Sequence, residues 1–335
     1  MPFRNKLKVL VTGGAGFIGS NICEALIERG YNVICLDNFI TGKKENIRDL
    51  LNKPSFKLIE GDIRDLNTCL KATKNIDAIL HQAALGSVPR SIENPILTHQ
   101  CNADGFLNII WAAYKNKVKR FIYASSSSVY GDNNDLPRVE EKIGKPLSPY
   151  AVSKYTNELY AKVFSEVYGL ETIGLRYFNV FGKNQDPNNP YAAVIPLFFK
   201  ALLSEQSPTI YGDGESTRDF CYVENVVQAN ILALETDNLD ALNKIYNIAY
   251  GEQTSLNELF KIIKNIIVEY LLNNGLPTKA EKIANIKPIY GPFRRGDIKH
   301  SLADITNAKV YLGYMPKWDI KIGLKIAMKY YIDSF

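Results

Sequence analysis

The sequence predicts an α/β fold, a doubly wound parallel sheet with a smaller mixed α/β domain beside it. Three observations lead there. Short apolar runs alternate with helical patterns through the first 180 residues, as strands covered on both faces require. A glycine-rich turn joins the first apolar run to the first helix. Beyond residue 180 the rhythm gives way to a turn-rich loop and less regular segments.

In order, "LKVLVTG" (7–13) reads as a buried strand, "FIGSNICEALIERG" (17–30) as a helix, and "NVICLD" (32–37) as the next strand. "FKLIEGD" (56–62), "DAILHQAA" (77–84) and "RFIYASS" (120–126) continue the series with helical segments between them. "ETIGLRYFNV" (171–180) looks like a further strand, entered after the helix that would carry Tyr150 and Lys154. "FGKNQDPNNPYAA" (181–193) is rich in turn formers, and "KIYNIA" (244–249) reads as a strand rejoining the main sheet. The expected division is residues 1–180 plus about 223–250 in the main domain, with about 181–222 and 251–335 in the second.

The composition is that of an ordinary globular chain: 335 residues, 46% hydrophobic and 22% charged. Lys plus Arg number 40 against 35 Asp plus Glu, without a long basic run, so charge does not suggest nucleic-acid binding. No apolar stretch is long enough to span a bilayer, and no signal-peptide pattern precedes the first strand. Five scattered cysteines lack metal-ligand spacing, so a reduced cytoplasmic setting and no metal are expected.

The turn "VTGGAGFIGS" (11–20) contains Gly14-x-Gly16-x-x-Gly19, with Gly13 as a further member. A lone glycine triplet is weak evidence, but here a strand precedes it and a helix follows. Glycines let a pyrophosphate approach the backbone at a helix N-terminus, where negative charge is favoured. Asp37 closes the second strand roughly 20 residues on, where a carboxylate can bind ribose hydroxyls and disfavour an additional phosphate. This is a Rossmann-type pattern, and it points to NAD. Asp62, ending the third strand, is a candidate for the adenine side.

"SPYAVSK" (148–154) places Tyr150 and Lys154 one turn apart on one helix face. A nearby ammonium favours the phenolate, which makes the phenol a usable base. The pair alone is more often an ordinary surface feature. With a nicotinamide nearby it acquires a task, removing an alcohol proton while hydride leaves the carbon. "ASSSSVYGD" (124–132) supplies hydroxyls at a strand's C-terminal end, where ligands of open α/β sheets bind.

Taken together, "TGGAGFIGS", "LDNF", "GDIRD", "HQAA", "SSSSVYGD", "SPYAVSK", "LRYFNVFG", "GDGESTRDFCYVEN" and "RRGD" strongly resemble the extended short-chain dehydrogenase/reductases, and among them the nucleotide-sugar 4-epimerases. The resemblance covers nearly the whole chain. It implies Tyr150 as base and acid, Lys154 as its electrostatic partner and ribose ligand, and Ser126 as hydrogen-bond partner of the reacting oxygen, assisted by Ser125 or Ser127. It implies a tightly held NAD, contacted by Gly13, Gly16, Phe17, Ile18, Gly19, Asp37, Asn38, Asp62, Ile63, Gln82, Ala83, Ala84, Asn102, Tyr150, Lys154 and Tyr177. For a UDP-hexose or UDP-N-acetylhexosamine it implies Asn179, Arg218 and Arg294 at the phosphates, Asp297 at the ribose, and Thr209 and Tyr211 at the uracil. Gly86, Ser87, Gln185, Ala193, Val194 and Ser301 complete the substrate set. It also implies a homodimer through helices near 95–116 and 150–168.

Dehydratases of this family resemble one another in a Thr-Asp-Glu run before V-Y-G, and decarboxylases keep a Glu where this chain has Ser128. Here the run is Ser126-Ser127-Ser128, which lacks titratable groups for elimination, so 4-epimerisation fits better. Ser301 stands where galactose-restricted epimerases carry Tyr, and Gly86 where they carry Lys. The small residues resemble the subgroup preferring UDP-GlcNAc and UDP-GalNAc. A sibling subgroup acting on N-acetylhexosaminuronic acids stays open, because Gln185 and Arg90 lie near the inferred pocket and an Arg there could meet a C6 carboxylate. From other classes, a non-catalytic NAD sensor has no need of Tyr150, Lys154 and Ser126 together, and a dehydrogenase would exchange its NADH.

Overall fold

The computed structural model describes residues 7–188, 191–293 and 298–335. Its centre is a seven-stranded sheet of β1 (Lys8–Thr12), β2 (Asn32–Asp37), β3 (Phe56–Glu60), β4 (Ala78–His81), β5 (Arg120–Ser126), β6 (Glu171–Tyr177) and β7 (Lys244–Ile248). The spatial order is β3-β2-β1-β4-β5-β6-β7, and every pairing is parallel. The chain therefore winds outward from β1 to β3, then returns to β4 and winds the other way. That reversal opens a crevice at the carboxyl ends of β1 and β4.

Period-two alternation explains the double cover. Val9 and Val11 point to one face, joined there by Ile22 and Leu26 of α1 (Phe17–Glu28) and by Val226 and Ala229. Leu10 points to the other, against Phe106, Ile109 and Ile110 of α2 (Gly105–Lys115) and Phe164 of α3 (Pro149–Tyr168). Burying each such side chain stabilises the fold by about 1.5–3 kcal/mol. The helix over residues 223–235 covers the main sheet with α1.

A second apolar core gathers Phe198, Phe199 and Leu202 from α4 (Val194–Leu203), Leu259 and Ile263 from α5 (Leu256–Asn273), and Leu324 and Tyr331 from α6 (Ile320–Asp333). One C-terminal segment departs from the expected division. Ala303, Ile305, Ala308, Leu312 and Tyr314 pack into the main core, and Tyr314 Oη donates to the Ala249 carbonyl at 2.8 Å. An apolar helical stripe facing β7 joins this segment to the nearer core.

Candidate active site

A cavity of about 480 Å³ lies at the strand reversal, lined from the carboxyl ends of the sheet strands. Gly13 turns the chain out of β1 with φ +68°, and its N–H donates to the Leu36 carbonyl at 2.7 Å. A Cβ at Gly13 would lie 2.7 Å from the Ala83 backbone, so only glycine fits there. Gly16 caps α1 without a side-chain acceptor, and Gly16, Phe17, Ile18 and Gly19 all line the cavity. Uncapped N–H groups at a helix start are a ready anion site.

Asp37 braces this loop. Its Oδ2 accepts the Ala15 N–H at 2.9 Å and its Oδ1 the Phe39 N–H at 2.8 Å, while burial pushes the carboxyl above its ordinary range. Asn38 donates to Asp62 Oδ2 at 2.8 Å. Hydrogen bonding from Arg64 pulls Asp62 down to about 2, so it stays ionised. Ile63, Gln82, Ala83 and Ala84 extend the wall. Tyr177 donates to Gln82 Oε1 at 3.0 Å and accepts from Asn230 Nδ2 at 2.8 Å, which fixes the Gln82 amide. The uncapped helix start, the glycine cradle and the carboxylate closing β2 suit a dinucleotide.

Tyr150, Lys154, Ser125 and Ser126 line the same cavity. Ser148 caps α3 by accepting the Ala151 N–H at 3.1 Å, with Pro149 in the first turn, which sets Tyr150 at the helix start. Ser126 shares a hydrogen bond with Tyr150 that lowers the phenol's pKa, but burial outweighs it and the phenol sits above its ordinary value. The expected lowering by Lys154 is not realised here. Lys154 Nζ donates instead to the Ala124 carbonyl at 2.9 Å and stands 6.0 Å from the centre of the Tyr150 ring. Ser125 donates to Glu158 Oε1, which also accepts Arg176 Nε at 2.8 Å. His81 is neutral: burial first, then the Lys154 charge, bring it down to about 3.

Burial brings Lys154 down from 10.5 to about 8. Between those values an unfolded lysine holds a proton that the buried one has lost, so stability through this group rises with pH across that window. Below it the penalty is complete, on the order of 3 kcal/mol. Lys154→Met is therefore expected to raise the melting temperature of the ligand-free chain at neutral pH, with the gain shrinking as pH rises towards about 10. Paired melts check this; a variant that melts below the parent at neutral pH contradicts it.

Of the substrate candidates, Gly86, Ser87, Asn179, Gln185 and Ala193 line the cavity. Ser127 and Val194 lie beside lining residues without joining them, and Thr209, Tyr211, Arg218 and Ser301 stand apart from the lining. Thr209 and Tyr211 are exposed on a short strand paired with 289–291, Arg218 Nη1 donates to the Thr217 carbonyl at 2.8 Å, and Ser301 is buried. Asn102 does not face the cavity. Its amide is occupied by Leu85, which donates to Oδ1 at 2.7 Å, and by the Leu85 carbonyl and Ser153 Oγ, both 3.1 Å from Nδ2. Arg294 and Asp297 lie outside the described residues.

Other lining residues carried no motif. Tyr191 stacks under the Arg90 guanidinium at 4.8 Å and donates to Glu93, and Lys43 pairs with Asp186 at 2.9 Å. The turn-rich composition of 181–193 marked the loop but not which side chain would fold inward. Among the described residues no cluster of His, Cys, Asp or Glu could hold a metal, and no helix is long and apolar enough to cross a membrane.

Residues 9–249 match the family described as the NAD dependent epimerase/dehydratase family. A UDP-N-acetylglucosamine 4-epimerase from Methanobrevibacter ruminantium M1, solved with UDP-N-acetylmuramic acid, is 41% identical, with a TM-score of 0.89 over 98% of this chain and 99% of that one. A UDP-glucose 4-epimerase from Thermotoga maritima, solved with UDP-glucose, is 37% identical with a TM-score of 0.87 over 98% and 99%. A UDP-glucuronic acid 4-epimerase from Bacillus cereus, solved with its substrate and NAD, is 30% identical with a TM-score of 0.84 over 98% and 100%.

Proposed function

Because this chain belongs to the NAD dependent epimerase/dehydratase family, we propose that it is an isomerase interconverting UDP-GlcNAc and UDP-GalNAc at C4. 4-Epimerisation of a UDP-sugar is the activity of these three similar solved proteins, one of them solved with NAD. The carrying observation is that Tyr150, Ser126 and Lys154 line one cavity with the glycine loop, so a proton acceptor and a dinucleotide held there would meet at one reacting carbon.

NAD, when bound, supplies the reversible hydride acceptor for that carbon. The N–H groups that start α1 would hold its pyrophosphate, and Asp37 its ribose. Tyr150 takes the proton of the 4-hydroxyl and gives it back to the same oxygen after the 4-keto sugar has turned its other face. Ser126 orients that hydroxyl and hydrogen-bonds the Tyr150 oxygen, and the Lys154 ammonium, once released from the Ala124 carbonyl, is the cation that would stabilise the phenolate. Asn179 and Arg218 steady the diphosphate while the sugar turns over.

The N-acetyl preference draws support from small wall residues. Gly86, Ser87, Ala192 and Ala193 line the sugar end, and a Cβ at Gly86 meets nothing within 4 Å. Gly86→Lys is therefore expected to fold with its NAD while losing kcat/KM on UDP-GlcNAc about tenfold more than on UDP-glucose, the scale of filling one pocket. Equal losses on the two sugars contradict the size argument. A second reading, a uronic-acid substrate, draws on Arg90 in the lining. Separate incubations with UDP-GlcNAc, UDP-glucose and UDP-GlcNAcA, read by NMR for the 4-epimer, decide between them; fastest turnover of the acid overturns the UDP-GlcNAc assignment.

We further infer a homodimer. Val152, Leu159, Val163 and Val167 form an exposed apolar stripe on one face of α3, a surface that a second copy would cover. Sedimentation as a monomer at micromolar concentration contradicts it.

A further inference from the structure

Asp219 is a carboxylate remote from the chemistry at Tyr150, yet it is completely buried. Its Oδ1 accepts the N–H groups of Tyr250 at 3.1 Å and Gly251 at 3.2 Å. Its Oδ2 accepts Gly251 again and Ala303, both at 3.2 Å. Its main-chain carbonyl accepts Asn179 Nδ2 at 3.3 Å, and Asn179 lines the cavity. Its neighbour Arg218 reaches back to the Thr217 carbonyl at 2.8 Å and the Lys299 carbonyl at 3.4 Å. One side chain thus ties together the Arg218 strand, the turn that leaves β7, and the 299–303 segment that contains Ser301. Backbone donors converging on one buried carboxyl form a junction that no apolar side chain reproduces, and they work against the burial that lifts this carboxyl to about 7.

We propose that Asp219 is a positioning residue for the nucleotide diphosphate, holding Asn179, Arg218 and the Ser301 segment as one rigid wall against which it seats. The proposal rests on the UDP-sugar reading above. Asp219 is not part of the cavity lining and touches none of the dinucleotide candidates, so its effect falls on the nucleotide-sugar half of the site.

The test uses the NAD-bearing protein and two variants. Asp219→Asn is isosteric but turns an amide N–H towards a backbone donor. Asp219→Glu keeps the charge and displaces it by one methylene. Calorimetry with UDP and steady-state kinetics with the best UDP-sugar substrate supply the readings. Both variants are expected to weaken UDP binding and raise KM by about tenfold or more, with kcat nearly unchanged and NAD retained, the scale of one lost charged hydrogen bond. Unchanged UDP affinity in either folded variant overturns the proposal, as does a fall in kcat with KM unmoved. If neither variant folds with NAD, Asp219 is a folding residue and the proposal also fails. A parent protein that binds no UDP sinks the UDP-sugar reading and this wall with it, whereas a parent that binds UDP beside an equally competent Asp219→Asn sinks only the wall.

Discussion

Tyr150→Phe is expected to leave a folded protein that keeps its NAD but turns over about 10²–10⁴-fold more slowly, the range for losing a positioned acid–base group. The substitution removes one oxygen from a ring at the start of α3 and leaves its packing in place. Lys154 keeps its bond to the Ala124 carbonyl, because that contact does not involve the phenol. Ser126 loses a partner but still caps the following turn by accepting the Ser128 N–H at 3.1 Å. The loss should therefore fall on kcat, with KM and melting temperature nearly unmoved. Single-turnover assays and NAD released on denaturation check both halves. Near-normal turnover removes Tyr150 from the mechanism.

Gly19→Ala should act on the cofactor. Helix propensity alone favours alanine inside α1 by about 1 kcal/mol. The added Cβ, however, would stand 2.1 Å from the Gly13 carbonyl oxygen and 2.9 Å from Gly14 Cα, and both neighbours are backbone. The loop has to move, and overpacking of this kind costs about 1–3 kcal/mol. Because the same loop presents the N–H groups that start α1, the variant is expected to purify without NAD, to melt lower and to be inactive. Stoichiometric NAD in purified Gly19→Ala contradicts this view of the loop.

The inner sheet strands were legible because parallel strands buried on both faces must be largely apolar, as "KVLVT" and "NVICLD" are. The dinucleotide half of the site was legible for a related reason: glycines at a strand-to-helix turn have a local cause. What the sequence could not display were contacts made across the fold. Spacing put Lys154 beside Tyr150, but the carbonyl that captures its ammonium belongs to β5. Asn102 was given to the dinucleotide by resemblance alone, yet Leu85 and Ser153 occupy its amide. Asp219 lies in the quoted "GDGESTRDFCYVEN", but its role was not legible there, because its donors come from residues 250, 251 and 303. Residues 303–314 went to the main core through Tyr314 and Leu312, a choice between two apolar surfaces that periodicity cannot make.

The central claim is that the hydrogen at C4 leaves and returns within one closed site while Tyr150 carries the proton. UDP-GlcNAc deuterated at C4, incubated in ordinary water with no added nicotinamide, tests it most directly. The account predicts the 4-epimer with deuterium still on C4. Product that has exchanged its label for solvent hydrogen, or a reaction that starts only when NAD is supplied in excess, would contradict it.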